Sequence, residues 1–110
     1  MSLDITKVDN VGYVTVDDEL TIYTAAMHAE KLFAWAREFR SLKLDLNKVS
    51  EIDCAGVQLL LLLKNEVAHQ HGKLELASPN EAVSRVLTLL RLSERLAVTE
   101  ESSSEGASHG

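Results

Sequence analysis

The order of apolar patterns along this chain predicts an α/β fold, a single small domain around a mixed, mostly parallel sheet of four to five strands. Short segments that alternate apolar and polar residues, as half-buried strands do, are separated by longer segments with apolar residues at every third or fourth position, as in helices. A strand–helix–strand order places successive strands parallel to each other. Because each strand alternates, we expect the helices to lie mainly on one face of the sheet.

The first half of the chain contains a predicted hairpin, a helix and a third strand. Residues 3–8 and 12–16 alternate as short strands, and Asp9-Asn10 between them is typical of a hairpin turn. From residue 24 to residue 39 the apolar side chains gather on one side of a helical wheel. Residues 42–46 alternate strictly, which predicts a third strand with one buried face.

The second half predicts two further helices with a strand between them. Residues 54–71 have the pattern of a leucine-rich helix, and residues 74–76 that of a fourth strand. Ser78-Pro79-Asn80-Glu81 fits a capping box, with Ser78 as the N-cap and Glu81 as the third residue of a last helix. Residues 96–98 would add a short fifth strand.

Size, charge and cysteine content limit the possible functions. The chain has 110 residues, the common size of one domain, and a formal net charge of −6, which argues against a nucleic-acid partner. Its longest apolar run, residues 59–63, is too short to insert into a membrane, and the N-terminus lacks the pattern of a signal peptide. One cysteine excludes an internal disulfide, so we expect a cytoplasmic protein.

The C-terminal end differs in composition from the rest of the chain. Residues 99–110 are rich in Ser and Glu and contain no apolar residue larger than Ala. Such a segment cannot bury enough apolar surface to offset the entropy lost on ordering. We therefore predict a folded domain over residues 1–98 and a disordered acidic tail over residues 99–110.

A recognisable motif lies between the third strand and the second helix. It is the turn Ile52-Asp53-Cys54-Ala55-Gly56-Val57, which opens the leucine-rich helix. This turn resembles the signature of STAS domains, in which a strand is followed by an Ile-Asp-Ser-Ser-Gly-Leu-like turn. The resemblance covers residues 3–98, including Glu19-Leu20-Thr21-Ile22 before the first helix. It implies a regulatory protein-binding module of the anti-sigma-factor-antagonist kind, with neither enzymatic activity nor a cofactor.

The resemblance also implies how partners would be bound and released. In the family, a partner kinase that is itself the anti-sigma factor phosphorylates the Ser after the Asp and breaks the complex. Here that position is Cys54, followed by Ala55, so neither residue can accept phosphate from a serine/threonine kinase. Two kinds of partner remain open: an anti-sigma factor resembling a serine kinase, or another bacterial assembly, such as a lipid transporter or chemosensory complex, with this chain as accessory subunit.

The chemistry of the turn can also be argued from its residues. Asp53 and Cys54 begin a helix, where unpaired N–H groups and the helix dipole favour negative charge, so Asp53 can be an N-cap, a partner contact or both. Gly56 lets another backbone approach closely. On the helical wheel Leu59 and Leu62 fall among polar residues and are expected to face solvent. The predicted partner-binding residues are Asp53, Cys54, Ala55, Gly56, Gln58, Leu59 and Leu62.

A phospho-receiver domain is the alternative that the residues themselves suggest. Asp17-Asp18-Glu19 mimics its acidic pair and Asp45 its phosphoacceptor, which together would hold Mg²⁺. However, only one helix fits between Asp18 and Asp45, where that fold requires a helix, a strand and a second helix. His69 and His71 are too closely spaced to share a helix face, so we predict no metal site. Cys54 is either a small residue at a tight turn or a redox-sensing thiol.

Overall fold

Five strands form one sheet in the order β1-β2-β3-β4-β5 in the computed structural model, which describes residues 2–90 and 98–99. β1 pairs antiparallel with β2, and the remaining neighbours pair in parallel. The α/β prediction, with a mixed and mostly parallel sheet, is therefore confirmed. The elements in chain order are β1 (Ser2–Val8), β2 (Val11–Asp17), α1 (Ala25–Phe39), β3 (Ser41–Asp45), α2 (Cys54–His69), β4 (Leu74–Ala77), α3 (Glu81–Leu89) and β5 (Val98–Thr99).

The predicted hairpin forms around a two-residue turn. Asp9 and Asn10 have φ values of 51° and 69°, and the flanking Val8 and Val11 are paired. Positive φ at both central residues is the geometry that matches the twist of the two strands, and Asn and Asp tolerate it better than most residues.

The two faces of the sheet differ in burial as the alternation predicted. Val14, Leu44 and Leu76 lie side by side in β2, β3 and β4 and are buried, whereas Tyr13 and Lys43 pair on the opposite face and stay partly exposed. The helices thus cover one face of the sheet. The largest fully buried side chains, almost all leucine, are Leu20, Leu32, Leu42, Leu44, Leu46, Leu60, Leu63, Leu76, Leu87, Val14 and Val16.

The predicted capping box at the last helix is wrong. Asn80 is the N-cap of α3, and its side-chain oxygen accepts a hydrogen bond from Val83 N–H at 3.0 Å. Ser78 has a φ of 52°, in the left-handed region, whereas an N-cap is extended. The Asn80 side chain also donates to Val49 O at 2.7 Å, a bond that joins the start of α3 to the loop before α2.

The division into a domain over residues 1–98 and a disordered tail over residues 99–110 stays a prediction. Thr99, the first residue of the predicted tail, lies in β5 and pairs with Ala77 of β4. The rest of the predicted tail, residues 100–110, lies outside the described residues, as do residues 96 and 97 of the predicted fifth strand.

Candidate functional site

Asp53 is the N-cap of α2 and accepts backbone hydrogen bonds from two directions. Its Oδ1 accepts from Ala55 N–H at 2.9 Å and from Gly56 N–H at 3.1 Å, and its Oδ2 accepts from Ile22 N–H at 3.0 Å. The bond from Ile22, aided by those from Gly56 and Ala55, outweighs partial desolvation and holds the pKa of Asp53 below its usual value. The turn therefore carries a fixed negative charge at the start of α2.

The Asp53 turn is also joined to the segment that precedes α1. Leu20 N–H donates to Glu51 O at 2.8 Å, and Asp53 N–H donates to Leu20 O at 3.2 Å. Leu20 and Ile52 form a parallel bridge. Together with the bond between Ile22 and Asp53, these contacts hold residues 18–24 against residues 51–56. We call these two segments the paired loops.

Gly56 is buried because the backbone of Leu20 lies against it. A Cβ added at Gly56 would come within 2.0 Å of Leu20 O and 2.8 Å of Leu20 C. No side chain fits without separating the paired loops. The close backbone approach expected at Gly56 is thus made by Leu20 of the same chain. Gly56 therefore holds the paired loops together and is not itself exposed.

The remaining predicted site residues divide into exposed and covered positions. Cys54 is an exposed free thiol, Gln58 is exposed, and Leu62 is 50% exposed, as its place on the wheel predicted. Ala55 and Asp53 are half-buried. The predicted exposure of Leu59 is wrong: this side chain is only 4% exposed. A helical wheel describes α2 in isolation. In the structure α1 packs against the side of α2 that carries Leu59, and this packing buries the side chain.

An apolar groove of about 260 Å³ lies between α1 and α2. On the α1 side it is formed largely by alanines, whose short side chains leave space between the helices. Leu62, which is 50% exposed, forms part of the opposite wall. The lining residues are Ala25, Ala26, Ala29, Phe33, Ala55, Gln58, Leu59 and Leu62.

Three further exposed apolar residues, which the sequence reasoning missed, lie at the start of α1. Ile22, Tyr23 and Met27 are 69%, 87% and 56% exposed. Ile22 belongs to the paired loops through its hydrogen bond to Asp53. The sequence feature that could have indicated this exposed surface is the Ile22-Tyr23 pair, two large apolar residues in a segment with neither strand alternation nor helical spacing.

A buried polar pair joins the paired loops to α1. His28 in α1 is 3% exposed and Asp18 is 8% exposed, and their Nε2 and Oδ2 atoms are 3.1 Å apart. Asp18 also accepts from Glu19 N–H through its side chain and from Ser50 N–H through its carbonyl. The pair supports the base of the loops. No sequence spacing indicated it, because the two residues belong to different elements.

The phospho-receiver alternative does not fit the topology. That fold has the strand order 2-1-3-4-5 in a parallel sheet, whereas here β1 is an antiparallel edge strand beside β2. The carboxylates that would have to converge also lie apart: Asp18 faces His28, and Asp45 accepts from Asn47 N–H on the open face of the sheet. In the part of the chain that the structure describes, no three His, Cys, Asp or Glu side chains form a group able to hold a metal ion.

Among residues 2–90, none of the helices is both long enough and apolar enough to cross a bilayer.

Comparison with solved structures identifies the same fold in other proteins. A protein of Thermotoga maritima described as an anti-sigma-factor antagonist is 26% identical, with a TM-score of 0.80 over 87% of this chain and 84% of that one. The antagonist SpoIIAA in its unphosphorylated form is 16% identical, with a TM-score of 0.73 over 90% and 87%. The murine anion transporter Slc26a9 is 20% identical, with a TM-score of 0.70 over 84% of this chain and 16% of the transporter.

The family assignment comes from the sequence as a whole as well as from the fold. The family model for the STAS domain matches residues 2–105, which include the Asp53 turn and all five strands. The chain belongs to the STAS domain family.

Proposed function

We propose that this protein is a non-enzymatic docking module of the anti-sigma-factor-antagonist kind, which binds a protein partner in the bacterial cytoplasm. The surface proposed for docking consists of Asp53, Cys54, Ala55 and the exposed side of α2 at Gln58 and Leu62. The observation that carries the proposal is the arrangement around Asp53. Its hydrogen bonds fix the start of α2 to the loop before α1, so that the exposed residues of both segments are held in one place.

Rigid presentation of a surface favours binding, because little conformational freedom remains to be lost when the partner arrives. Contiguous exposed apolar surface rimmed by polar residues is also typical of interaction sites. Leu62 is 50% exposed and Gln58 lies beside it on the outer side of α2. Gly56 and Leu59, which are buried, contribute by holding this surface in shape.

Cys54 distinguishes this protein from members of the family that are controlled by serine phosphorylation. A thiol at position 54 and a methyl group at Ala55 offer no hydroxyl to a kinase. We therefore expect docking without a phosphoserine switch at this turn. The same feature favours a second candidate function, an accessory subunit of a transporter or chemosensory assembly that acts by docking alone.

The test is partner capture from the native host with tagged wild-type protein and Leu62→Asp, followed by mass spectrometry. Leu62→Asp should lose the partner, since it places a carboxylate in the proposed contact. Leu89→Asp is the matched control, because Leu89 is an exposed leucine on α3, 74% exposed, that belongs neither to the paired loops nor to the lining of the groove. If Leu62→Asp retained the partner while Leu89→Asp lost it, the docking surface proposed here would be wrong. The identity of the captured protein decides between the two candidate functions.

A further inference from the structure

We propose that the groove between α1 and α2 receives an amphipathic helix of the partner protein, whose apolar side chains enter the groove and whose lysine or arginine side chains lie beside Glu30 and Glu66. This proposal rests on the docking function given above and names the chemistry of the partner.

The shape and lining of the groove suit a helix. It runs between two helices that begin at the same end of the sheet, and Gln58 is the one polar residue among those that line it. Alanines form most of the α1 wall, so the groove lacks large side chains on that side and can accept those of a partner. An amphipathic helix laid with its apolar face in such a groove is a recurrent mode of recognition.

The apolar surface continues beyond the groove toward the paired loops. Ile22 and Tyr23 lie in the loop just before α1, and Ala26 and Met27 lie in its first turn. All four are exposed. The contact surface is thus longer than the groove alone and includes the residues nearest to Asp53.

Acidic residues border this surface. Glu30 follows Ala26 by four residues and precedes Phe33 by three, so it lies along the groove edge of α1. Glu66 follows Leu62 by four residues along α2, and the charged Asp53 marks the end nearest the paired loops. Arg37, one turn beyond Phe33, is the basic residue on the same edge of α1, at the end away from Asp53. A partner with basic residues beside the apolar stripe would complement this pattern.

Two other occupants fit the charges poorly. A second copy of this chain, docked symmetrically, would bring Glu30 and Glu66 of each molecule toward the same residues of the other. The C-terminal residues 100–110 contain Glu100, Glu101 and Glu105 and no apolar residue larger than Ala, so they could neither fill the groove nor balance its charge.

The probe is a synthetic helical peptide with leucine at every third or fourth position and lysines on both flanks, titrated against the full chain by fluorescence anisotropy at physiological ionic strength. The lysine peptide should bind about tenfold more tightly than the same peptide with glutamate in place of lysine. Combined Glu30→Lys and Glu66→Lys should reverse this preference. Ala26→Asp should weaken binding of the lysine peptide at least about tenfold, because it places a carboxylate among the apolar side chains at the groove.

The matched control is combined Glu38→Lys and Glu75→Lys, which changes net charge equally at sites away from the groove. This variant should keep the preference for lysine. Equal binding of the two peptides, no binding of the lysine peptide, or the same loss in the control variant would overturn the proposal. Self-association of the wild-type chain in sedimentation equilibrium, abolished by Ala26→Asp, would instead identify a second copy as the occupant.

Capture of the native partner by the variants distinguishes failure of this inference from failure of the proposed function. If Leu62→Asp loses the captured partner but combined Glu30→Lys and Glu66→Lys retains it, docking stands and the basic-helix proposal is wrong. If the partner is unaffected by Leu62→Asp, the docking surface given under the proposed function is wrong.

Discussion

Replacement of Gly56 by alanine tests the account of the paired loops most directly. The new methyl carbon would lie 2.0 Å from Leu20 O, whereas real Cβ contacts essentially never fall below 3.0 Å. The Leu20 backbone must therefore retreat by about 1 Å, the difference between these distances. Because the obstacle is backbone and not the end of a flexible side chain, this retreat weakens the hydrogen bonds that join Leu20 to Glu51 and to Asp53.

The magnitude follows from three contributions. Overpacking a tight site costs about 1–3 kcal/mol. Each weakened hydrogen bond between the loops adds about 0.5–1.5 kcal/mol. Alanine in a helix is favoured over glycine by up to about 1 kcal/mol, which opposes the loss. We expect the free energy of unfolding to fall by about 2–4 kcal/mol, and the melting temperature by roughly 10–30 °C for a domain of this size.

The measurement is urea and thermal denaturation followed by circular dichroism, with Gly12→Ala as the control. A Cβ at Gly12 would meet only side-chain ends, those of Leu42 at 2.8 Å, Phe39 at 3.0 Å and Ile5 at 3.1 Å. These ends can shift, so this variant should lose less than about 1.5 kcal/mol. If Gly56→Ala were as stable as the wild-type protein, the paired loops would not be tightly packed and the reasoning would be refuted.

Three further predictions test the site by stability. Leu59→Asp should lower the free energy of unfolding by at least about 3 kcal/mol, because it buries an unpaired charge, whereas Leu62→Asp should change it by less than about 1 kcal/mol. If urea denaturation gave similar losses for the two variants, the assignment of Leu59 to the core would be contradicted. Asp53→Asn should be less stable than wild type at neutral pH. Because folding lowers the pKa of Asp53, that difference should be complete well above the ordinary value of 3.8, decline as the pH falls below 3.8 and be lost as the pH falls through the lowered pKa; a difference unchanged at pH 3 would be inconsistent with a charged cap. Asp18→Ala should cost about 1–3 kcal/mol by leaving the His28 ring nitrogen buried without its hydrogen-bond partner, and His28→Leu in the same chain should recover part of the loss; no recovery would show that the pair is not coupled.

Local patterns were enough to predict most of the fold. The change from a period of two to a period near 3.6 located the strands and helices, and Asp9-Asn10 located the hairpin turn. These features depend on residues close together in the chain. The Asp53 cap belongs to the same class, because the bonds that define it run to Ala55 and Gly56.

Features that depend on packing between elements were not predictable in this way. Leu59 lies on the polar side of its own wheel, yet α1 covers it. Ser78 and Asn80 are both acceptable caps from sequence, and the choice of Asn80 involves its bond to Val49, far away in the chain. The pairing of Asp18 with His28 likewise requires knowledge of how β2 and α1 end up side by side.

The double role of Asp53 determines which variants can report on docking. Its carboxylate holds both α2 and Ile22, so any substitution there shifts the paired loops as well as removing a charge from the surface. Loss of partner binding by such a variant would therefore not establish a direct contact. Cys54 and Leu62 are exposed and belong to the same surface, yet no hydrogen bond of the paired loops involves their side chains among the described residues. Substitutions at these two positions, in protein shown to be folded, separate contact from support.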